Sequence, residues 1–478
     1  MKHLISSSMA LAIAIAFSQQ KVFAVICDDW NYVETTTSSP DKNGKTSGSG
    51  YVTDKNEIWK FVATRALGTR NLTLSGEPGA DFNGSEKTSL DFRKITSQKE
   101  DNEYAVVALK GLLSIYGGSG TRPDSDILEN RDKVTEIIAP NCTSISGEGA
   151  FYYCTSLTNA VFAEGLTISN GRTFQGCAAL VNFFPREFKG LNLSVFQSCS
   201  SLKGSFVLSE SKSLSNNTFD GCSSLEEVLA PQATTIGEYV FSGCSSITNI
   251  VLGSPITSIN RGAFQKCPKI KTEFVQSLLT SSLTALWKYE SSLHKGLVFN
   301  GCSGLEGDLV WDLKNLTTNV VPQQIFMDCN NLSSITFKTP ILKFYGSAFY
   351  SASTSRLHVY MHAEPPFSYE SCAVMSKQAP YPKVYLKDNF NEWLSVMEEN
   401  KDDLIRKEAF NDSSKYSGVK NWTTITDCMK KDSAMCTKDN GIVNVKDKCV
   451  IGFIMYDNAK GGCWILKKPE TGFKVIVR

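Results

Sequence analysis

The sequence is poor in histidine and carries almost no net charge. It contains four histidines, and 49 basic side chains face 48 acidic ones among 478 residues. Without a basic excess, the chain lacks the electrostatic footprint of a nucleic-acid-binding protein, and no long basic run indicates binding to an anionic lipid surface. We therefore expect neither kind of partner.

The sequence patterns of enzymes and cofactor sites are also missing. There is no G-x-S-x-G, no H-E-x-x-H, no phosphate-binding glycine loop and no calcium-loop spacing. No two of the 15 cysteines are three residues apart, which excludes a C-x-x-C pair for zinc or redox chemistry. His358, His362 and Glu364 form the one group of zinc-ligand types, and isolated surface histidines are the commoner explanation. We expect no enzyme activity, no metal and no cofactor.

Long apolar runs are absent as well. Apart from the first residues, no segment approaches the ~18 apolar residues that a transmembrane helix requires. The run Met9–Phe17 is nine residues long. It follows Lys2 and His3 and precedes Val22-Phe23-Ala24, an acceptable small-residue cleavage site. We interpret residues 1–24 as a secretory signal peptide, and we expect the exported chain to be secreted or held at the cell surface.

What the sequence does contain is a repeat. The phrase Phe-x-x-Cys-x-x-Leu/Ile occurs six times between Phe151 and Ile270, with phenylalanines 23, 22, 23, 22 and 23 residues apart. Two more copies begin at Phe299 and Phe326, and a copy at Phe349 has alanine in the cysteine position. One such unit cannot bury its apolar face alone, so stacked units must share a continuous core.

Each unit combines two short apolar segments. After the cysteine, an apolar alternation such as Leu225–Ala230 is typical of a strand. A turn and a second apolar position then lead into the next copy (Ile145, Ile168, Ile236 and Ile259). Stacking places strand beside strand in a parallel sheet. We predict a mainly β repeat solenoid with coils of 22–23 residues.

The run Ile236–Ile247, read as Ile-Gly-x-x-x-Phe-x-Gly-Cys-Ser-Ser-Ile, resembles the BspA-type leucine-rich repeats of secreted and surface proteins. The resemblance recurs in register over roughly half the chain. It implies a leucine-rich-repeat fold and a role in adhesion, through binding of a protein or glycan partner. The alternative is a structural surface protein that self-assembles through the solenoid.

The regular solenoid is expected to span residues 131–364. Before it, residues 25–56 include the Thr-, Ser- and Gly-rich stretch Thr35–Gly50 and are predicted to be a loop or linker. Residues 57–130 retain strand-like pieces and are interpreted as degenerate coils that cap the solenoid.

After the solenoid, residues 365–426 are predicted to close its open end with a strand and a helix, the helix starting at the capping box of Asn389 and Glu392. Residues 427–478 are predicted to form a small cysteine-rich β module with a strand–turn–strand pattern. Within the solenoid, the insertion Val275–Lys295 predicts a short amphipathic helix on the rim.

The repeat cysteines occur once per coil at the same phase. We predict that they form an inward ladder of buried thiols, with disulfides between adjacent coils as the alternative. The ladder consists of Cys154, Cys177, Cys199, Cys222, Cys244, Cys267, Cys302 and Cys329.

Seven cysteines lie outside this ladder, and in an exported chain we expect them in disulfides. Four fall in the last 51 residues, where two disulfides are expected with their pairing left open. The seven are Cys27, Cys142, Cys372, Cys428, Cys436, Cys449 and Cys463.

The outward strand positions form a mostly apolar row when the coils are aligned with one-residue offsets after Gly204 and Gly307. Soluble monomers rarely expose a contiguous apolar patch, so the hypothesis is a surface for recognition or self-association. The alternative is that the assigned phase is wrong or that another element covers the row. The row consists of Val161, Phe184, Val207, Leu229, Val251, Val275, Val310 and Thr336.

Overall fold

The structure, a computed structural model, describes part of the chain in two compact units. The first unit comprises Met1–Ala163 and Asn182–Phe184, and the second comprises Glu164–Val181 and Pro185–Arg478. No helix in the described part is long and apolar enough to cross a membrane. The predicted signal peptide lies outside the residues that the structure describes. The described residues are 25–27, 30–54, 60–75, 88–97, 103–110, 133–280, 285–286, 296–315, 320–339, 343–344, 348–349, 357–361, 383–386, 443–445, 448–455 and 462–467.

The described elements are short strands and one helix. They are β1 (Val25–Cys27), β2 (Trp30–Thr37), β3 (Gly48–Asp54), β4 (Lys60–Arg65), β5 (Asn71–Ser75), β6 (Thr88–Asp91), β7 (Ile95–Ser97), β8 (Glu103–Lys110), β9 (Val134–Ala139), β10 (Ser144–Ser146), β11 (Asn159–Phe162), β12 (Thr167–Ile168), β13 (Asn182–Phe184), β14 (Glu187–Phe188), β15 (Gly204–Leu208), β16 (Ser213–Leu214), β17 (Leu225–Ala230), β18 (Thr235–Ile236), β19 (Asn249–Leu252), β20 (Ser258–Ile259), α1 (Thr272–Leu279), β21 (Ala285–Leu286), β22 (Gly307–Trp311), β23 (Val320–Val321), β24 (Leu332–Phe337), β25 (Lys343–Phe344), β26 (His358–Met361), β27 (Lys383–Leu386), β28 (Val443–Val445), β29 (Lys448–Met455) and β30 (Gly462–Lys467).

The first strands of successive coils pair into parallel sheets, as the repeat predicted. In the first unit the order is β1-β6-β9-β11-β13. In the second unit one sheet runs β14-β15-β17-β19 and another begins β22-β24-β26-β27. The short apolar segment that follows the turn of each coil forms a second strand, and these second strands pair in a parallel ladder, β16-β18-β20-β21. The prediction of a mainly β fold with parallel sheets is therefore confirmed.

The repeat phenylalanines stack along the core of the second unit. Neighbouring ring centroids are 5.6 to 6.0 Å apart, and their planes are within 13° of parallel. All eight side chains are fully buried. Each ring thus contacts the ring one coil away on either side, which explains why the spacing of the phenylalanines defines the repeat. The stack comprises Phe174, Phe196, Phe219, Phe241, Phe264, Phe299, Phe326 and Phe349.

The eight ladder cysteines are free thiols and are fully buried. In six of them the thiol donates a hydrogen bond to the phenylalanine carbonyl one coil earlier, at S···O distances of 3.0 to 3.1 Å. Cys222, for example, bonds the carbonyl of Phe196. Burial raises the pKa of these six hydrogen-bonded thiols, to about 12 at Cys302. The thiols therefore act as small core residues that also join adjacent coils.

Cys142 corrects one expectation. It was expected in a disulfide, but it is a free, buried thiol whose sulfur donates to the carbonyl of Ser144 at 3.3 Å. Burial raises its pKa to about 12. The turn after β9 directs this side chain into the core, so it behaves like a ladder cysteine. The side chains of the other six cysteines lie outside the described part of the structure.

In the eight copies from Phe151 to Phe326, two positions adopt a left-handed backbone, namely the second residue before the phenylalanine and the residue before the cysteine. The amide of Gly243 donates to the Gln265 carbonyl at 2.7 Å, and that of Lys266 donates to the Asn300 carbonyl at 2.6 Å. The left-handed turn therefore aims an N–H group at the next coil. The pairs are Gly149 and Tyr153, Arg172 and Gly176, Ser194 and Ser198, Asn217 and Gly221, Tyr239 and Gly243, Gly262 and Lys266, Leu297 and Gly301, and Gln324 and Asp328.

The N-terminal region differs from the expectation of a linker followed by degenerate coils. Strands β2 and β3 occupy much of the predicted linker, and the order β2-β3-β4-β5-β8-β7 closes because β7 also pairs with β2. The result is a small six-stranded barrel. Its interior holds Trp30, Phe61 and Phe92, with ring centroids 4.8 to 5.9 Å apart. Strand β6 joins the parallel repeat sheet beside β9, with β1 on its other side, and β8 pairs in parallel with β10.

An ion pair explains why position 48 of the predicted linker is a glycine. Arg65 donates from Nε and a terminal nitrogen to Glu34 Oε1, at 3.1 and 2.9 Å. A Cβ atom on Gly48 would lie 1.3 Å from that carboxylate oxygen. Burial, followed by the charge of Glu34, raises the pKa of nearby Tyr32 to about 12. The glycine in this stretch therefore makes room for a charged side chain, and its presence does not indicate a flexible linker.

At the other end, the chain returns to the repeat sheet. Strand β27 pairs in parallel with β30, and β30, β29 and β28 follow as antiparallel neighbours. The strand–turn–strand predicted in residues 427–478 thus corresponds to β29 and β30, which continue the sheet of the repeats. The helix predicted after Asn389 lies outside the described residues.

The buried thiols generate the first prediction. In the folded chain, the eight ladder cysteines should resist alkylation by iodoacetamide, and all should react after unfolding in guanidinium, because each side chain is fully buried and out of the reagent's reach. Peptide mapping by mass spectrometry assigns the reaction to each residue. Disulfide-linked peptides from adjacent coils would contradict the ladder.

The left-handed positions generate the second. Gly243→Ala should lower the free energy of unfolding by about 1 to 2 kcal/mol, the cost of a Cβ in this conformation. The nearest atoms to that Cβ are Gly221 Cα and N at 3.4 and 3.6 Å, so the strain is in the backbone. Lys266→Gly, at the equivalent position, is the matched control and should not destabilise. If urea denaturation shows the same loss in free energy of unfolding for Gly243→Ala and Lys266→Gly, this explanation is wrong.

Candidate functional site on the exposed sheet face

The structure distributes the predicted row over three parallel sheets. Val161 and Phe184 are cross-strand neighbours in the first unit. In the second unit, Val207, Leu229 and Val251 are in register on β15, β17 and β19. The last pair, Val310 and Thr336, is in register on β22 and β24. All seven side chains are partly or largely exposed, and Val251 is 40% exposed.

Val275 does not belong to the row, which corrects the prediction. It lies on α1 and is fully buried. The helix replaces the strand that this coil would otherwise contribute, and it starts before the predicted insertion. Thr272, Gln276 and Leu279, on one face of the helix, bond the backbone of the β22 coil. The Gln276 amide alone both donates to the Val310 carbonyl at 2.9 Å and accepts from its N–H at 2.7 Å.

β-Bulges explain the offsets that the alignment needed. The register shifts between Gly204 and Ser205, and again between Gly307 and Asp308. Both glycines have positive φ, of 84° and 74°. A left-handed glycine at the start of a strand is the usual geometry of such a bulge, and it returns the following residue to the outward face.

Sequence reasoning missed one apolar member and a complete second row. Ile138 is in register with Val161 and extends the apolar row of the first unit. Two residues earlier in each strand, polar side chains occupy the same exposed face. The sequence already contained this second row, because the alignment that gave the apolar row shows polar residues two positions upstream. They are Ser89, Glu136, Asn159, Asn182, Ser205, Glu227, Asn249, Asp308 and Ser334.

In the first unit, the polar row is joined by side-chain hydrogen bonds. Ser89 Oγ donates to Glu136 Oε2 at 2.8 Å, and Asn159 Nδ2 donates to Glu136 Oε1. Asn159 is 6% exposed, and its Oδ1 is buried without a hydrogen-bond partner among the described residues. The carboxylate is therefore held from both sides, while one buried acceptor is left unsatisfied.

In the second unit, the same residue types recur in the same order. Ser205 and Asn249 lie in register on either side of Glu227, and the Asn249 amide donates to its carboxylate. Hydrogen bonds from Ser205 and then from Asn249 lower the pKa of Glu227. In the following sheet, Ser334 Oγ donates to Asp308 Oδ1 at 2.6 Å. Each repeat sheet thus presents a hydrogen-bonded carboxylate, and the two glutamates lie beside an apolar row.

The histidine group that the sequence singled out is only partly described. His358 lies on β26, in register with Ser334, while His362 and Glu364 lie outside the described residues. Within the described part of the chain, no group of three or more His, Cys, Asp or Glu residues could hold a metal ion.

The pKa of Glu227 generates the third prediction. Because its folded-state pKa is lowered, its hydrogen bonds stabilise the fold above the unfolded-state pKa, and this contribution is lost as the pH falls through the folded-state pKa. Ser205→Ala should therefore destabilise the chain more at pH 7 than at pH 3 in urea unfolding. In a Glu227→Gln background, the same substitution should show no such pH dependence. An equal loss at both pH values in the wild-type background would contradict the assignment.

Comparison with known proteins places these repeats in a family. The sequence profile described as "BspA type Leucine rich repeat region (6 copies)" matches residues 122–233, 212–304 and 295–365, which together cover just over half of the chain. No curated protein sequence matches.

Several solved structures are similar to this chain. A leucine-rich cell surface protein of Faecalibacterium prausnitzii has 14% identity and a TM-score of 0.35, covering 76% of this chain and 98% of that one. A leucine-rich repeat protein of Bacteroides ovatus has 18% identity and a TM-score of 0.35, covering 70% and 75%. The pneumococcal vaccine antigen PcpA has 15% identity and a TM-score of 0.31, covering 66% and 94%. With its profile match and its stacked Phe-x-x-Cys coils, the chain belongs to the BspA-type leucine-rich-repeat family.

Proposed function

We propose that this protein is a secreted or surface-displayed binding protein that holds a protein partner on the exposed face of its repeat sheets. The observation that carries the proposal is the row Val207, Leu229 and Val251, which lies in register and partly exposed beside a fixed polar row. Export is supported by the secretory pattern of residues 1–24. In this proposal the repeats form a capped solenoid that serves as the scaffold for adhesion.

The chemistry of the face suits a protein ligand better than a purely polar one. Aliphatic side chains supply apolar area that is removed from water when a partner docks. The neighbouring Ser, Glu and Asn side chains are already held by cross-strand hydrogen bonds, so little side-chain entropy is lost on binding. A glycan partner would draw mainly on the polar row, and the aliphatic row would then contribute little.

The protein has no catalytic role in this proposal, because the sequence contains none of the catalytic patterns considered above. The second candidate is a structural protein that self-assembles through the same row. Val251 is 40% exposed, and a second copy of the chain could cover this side chain, which favours self-assembly as the second candidate. Concentration-dependent size separates the two candidates.

The fourth prediction tests the row with a triple variant, Val207→Ser, Leu229→Ser and Val251→Ser. A phage-displayed library of random 12-residue peptides is selected on the wild-type chain, and a glycan array is probed in parallel. We expect selected peptides to lose at least tenfold in affinity for the triple variant, because three apolar contacts disappear. Binding is measured by biolayer interferometry.

The matched control replaces Ser213, Thr235 and Ser258 by alanine, at in-register positions of the second strands in the same coils. This control should bind the peptides like wild type. If the triple variant folds and still binds every selected peptide, the proposal is wrong. Glycan binding without peptide binding would replace the protein partner by a glycan. Dimers in analytical ultracentrifugation that the triple variant abolishes would favour self-assembly.

A further inference from the structure

The two units carry the same three-residue polar arrangement, which we call the carboxylate element. In the first unit it consists of Ser89, Glu136 and Asn159, and in the second of Ser205, Glu227 and Asn249. In both, the glutamate occupies the middle strand, with serine on one neighbouring strand and asparagine on the other. The cross-strand hydrogen bonds join adjacent coils, and in both units they hold a glutamate between the same two residue types on the outward face.

Each element holds its carboxylate in place without using all of its acceptor capacity. At Glu136, each oxygen accepts one hydrogen bond, from Ser89 and from Asn159. An ionised carboxylate offers about four acceptor positions, so roughly two remain for a ligand. The side chain of Glu136 is partly exposed.

The negative charge of each element is not compensated within the described part of the chain. Among the described residues, no basic side chain forms a salt bridge with Glu136 or Glu227. The hydrogen-bond donors that hold the two carboxylates are neutral. A cation from outside would therefore meet a pre-oriented anion.

The first element also contains a buried acceptor that has no donor. Asn159 donates through Nδ2, while its Oδ1 is buried and has no hydrogen-bond partner among the described residues. An unsatisfied buried acceptor is costly. Because that oxygen is buried, the acceptor on offer to a ligand is the partly exposed carboxylate of Glu136. Lysine can donate to it from the three N–H groups of its ammonium, and arginine from the five of its guanidinium.

The apolar row lies at a fixed offset from each element. Glu136 and Ile138 are two residues apart on β9, and Glu227 and Leu229 are two residues apart on β17. Residues i and i+2 of a strand are about 7 Å apart on the same face. An extended peptide lying along the strands has that same spacing between its own i and i+2 side chains.

We propose that each carboxylate element binds a lysine or arginine of an extended partner segment, whose aliphatic side chain two residues away contacts the apolar row of the same sheet. The inference rests on the proposed function and adds the chemistry of the partner: a protein segment in which cationic and aliphatic residues alternate on one face.

The fifth prediction uses a synthetic peptide with the repeating sequence Lys-Thr-Val-Thr, which places lysine and valine on one face when extended. Matched peptides carry serine or glutamate in place of lysine. Isothermal titration calorimetry with the full chain should detect binding of the lysine peptide, weaker binding of the serine peptide and none of the glutamate peptide. Affinity for the lysine peptide should fall as salt rises, because the charge pair is solvent-accessible.

The decisive variant is the double substitution Glu136→Gln and Glu227→Gln, which keeps the shape of both side chains. It should lower the affinity for the lysine peptide about threefold to fivefold, as expected for loss of an exposed charge pair, and leave the affinity for the serine peptide unchanged. The control Glu210→Gln removes the same charge from a turn, where Glu210 faces Lys189 at 3.5 Å, and should have no effect. Circular dichroism melting checks that each variant is folded.

Two results would overturn the inference: unchanged affinity of the lysine peptide for the double variant, or equal affinity of wild type for the lysine and glutamate peptides. The proposed function has a separate readout. Suppose that one of these two results is obtained but binding of the library-selected peptides still requires Val207, Leu229 and Val251. The face then binds proteins without a preference for cations. If their binding does not require these three residues, both proposals fail.

Discussion

Contact between consecutive coils is the constraint on which the rest of the structure depends. In the second unit, each repeat phenylalanine stacks on the next at 5.6 to 6.0 Å. The cysteine three residues later donates to the phenylalanine carbonyl of the preceding coil. Two left-handed residues per copy aim further N–H groups at the neighbouring coil. Because every coil must satisfy both neighbours, inward positions tolerate few residue types, while outward positions are free to carry function.

The helix α1 shows how the chain can depart from this constraint without leaving a strand edge unsatisfied. Its Gln276 amide bonds both the N–H and the C=O of Val310, as a neighbouring strand would. Thr272 and Leu279 bond the same coil on either side. The consequence is functional as well as structural, since the exposed rows of the second unit occur in two sheets and the helix contributes nothing to the apolar row.

The outward face combines a pre-oriented polar row with partly exposed aliphatic residues, which is the chemistry of an interaction surface. Its carboxylates accept hydrogen bonds from neutral donors on adjacent strands. The repeated Ser–Glu–Asn arrangement is the basis of our proposal that a partner is recognised by charge and by apolar contact together. In that proposal the inward face of the strands supplies the core, and the outward face supplies the contacts with the partner.

The sequence by itself determined the period, the phenylalanine and cysteine core, the parallel strands and most of the apolar row, because these follow from a pattern repeated every 22–23 residues. The bulges were also indicated, by Gly204 and Gly307. The closed N-terminal sheet, the helical position of Val275, the free thiol of Cys142 and the bonded polar rows were decided only by the tertiary structure. Each depends on pairing between segments far apart in the chain, as between β2 and β7 or Ser89 and Glu136, and local periodicity carries no information about such contacts.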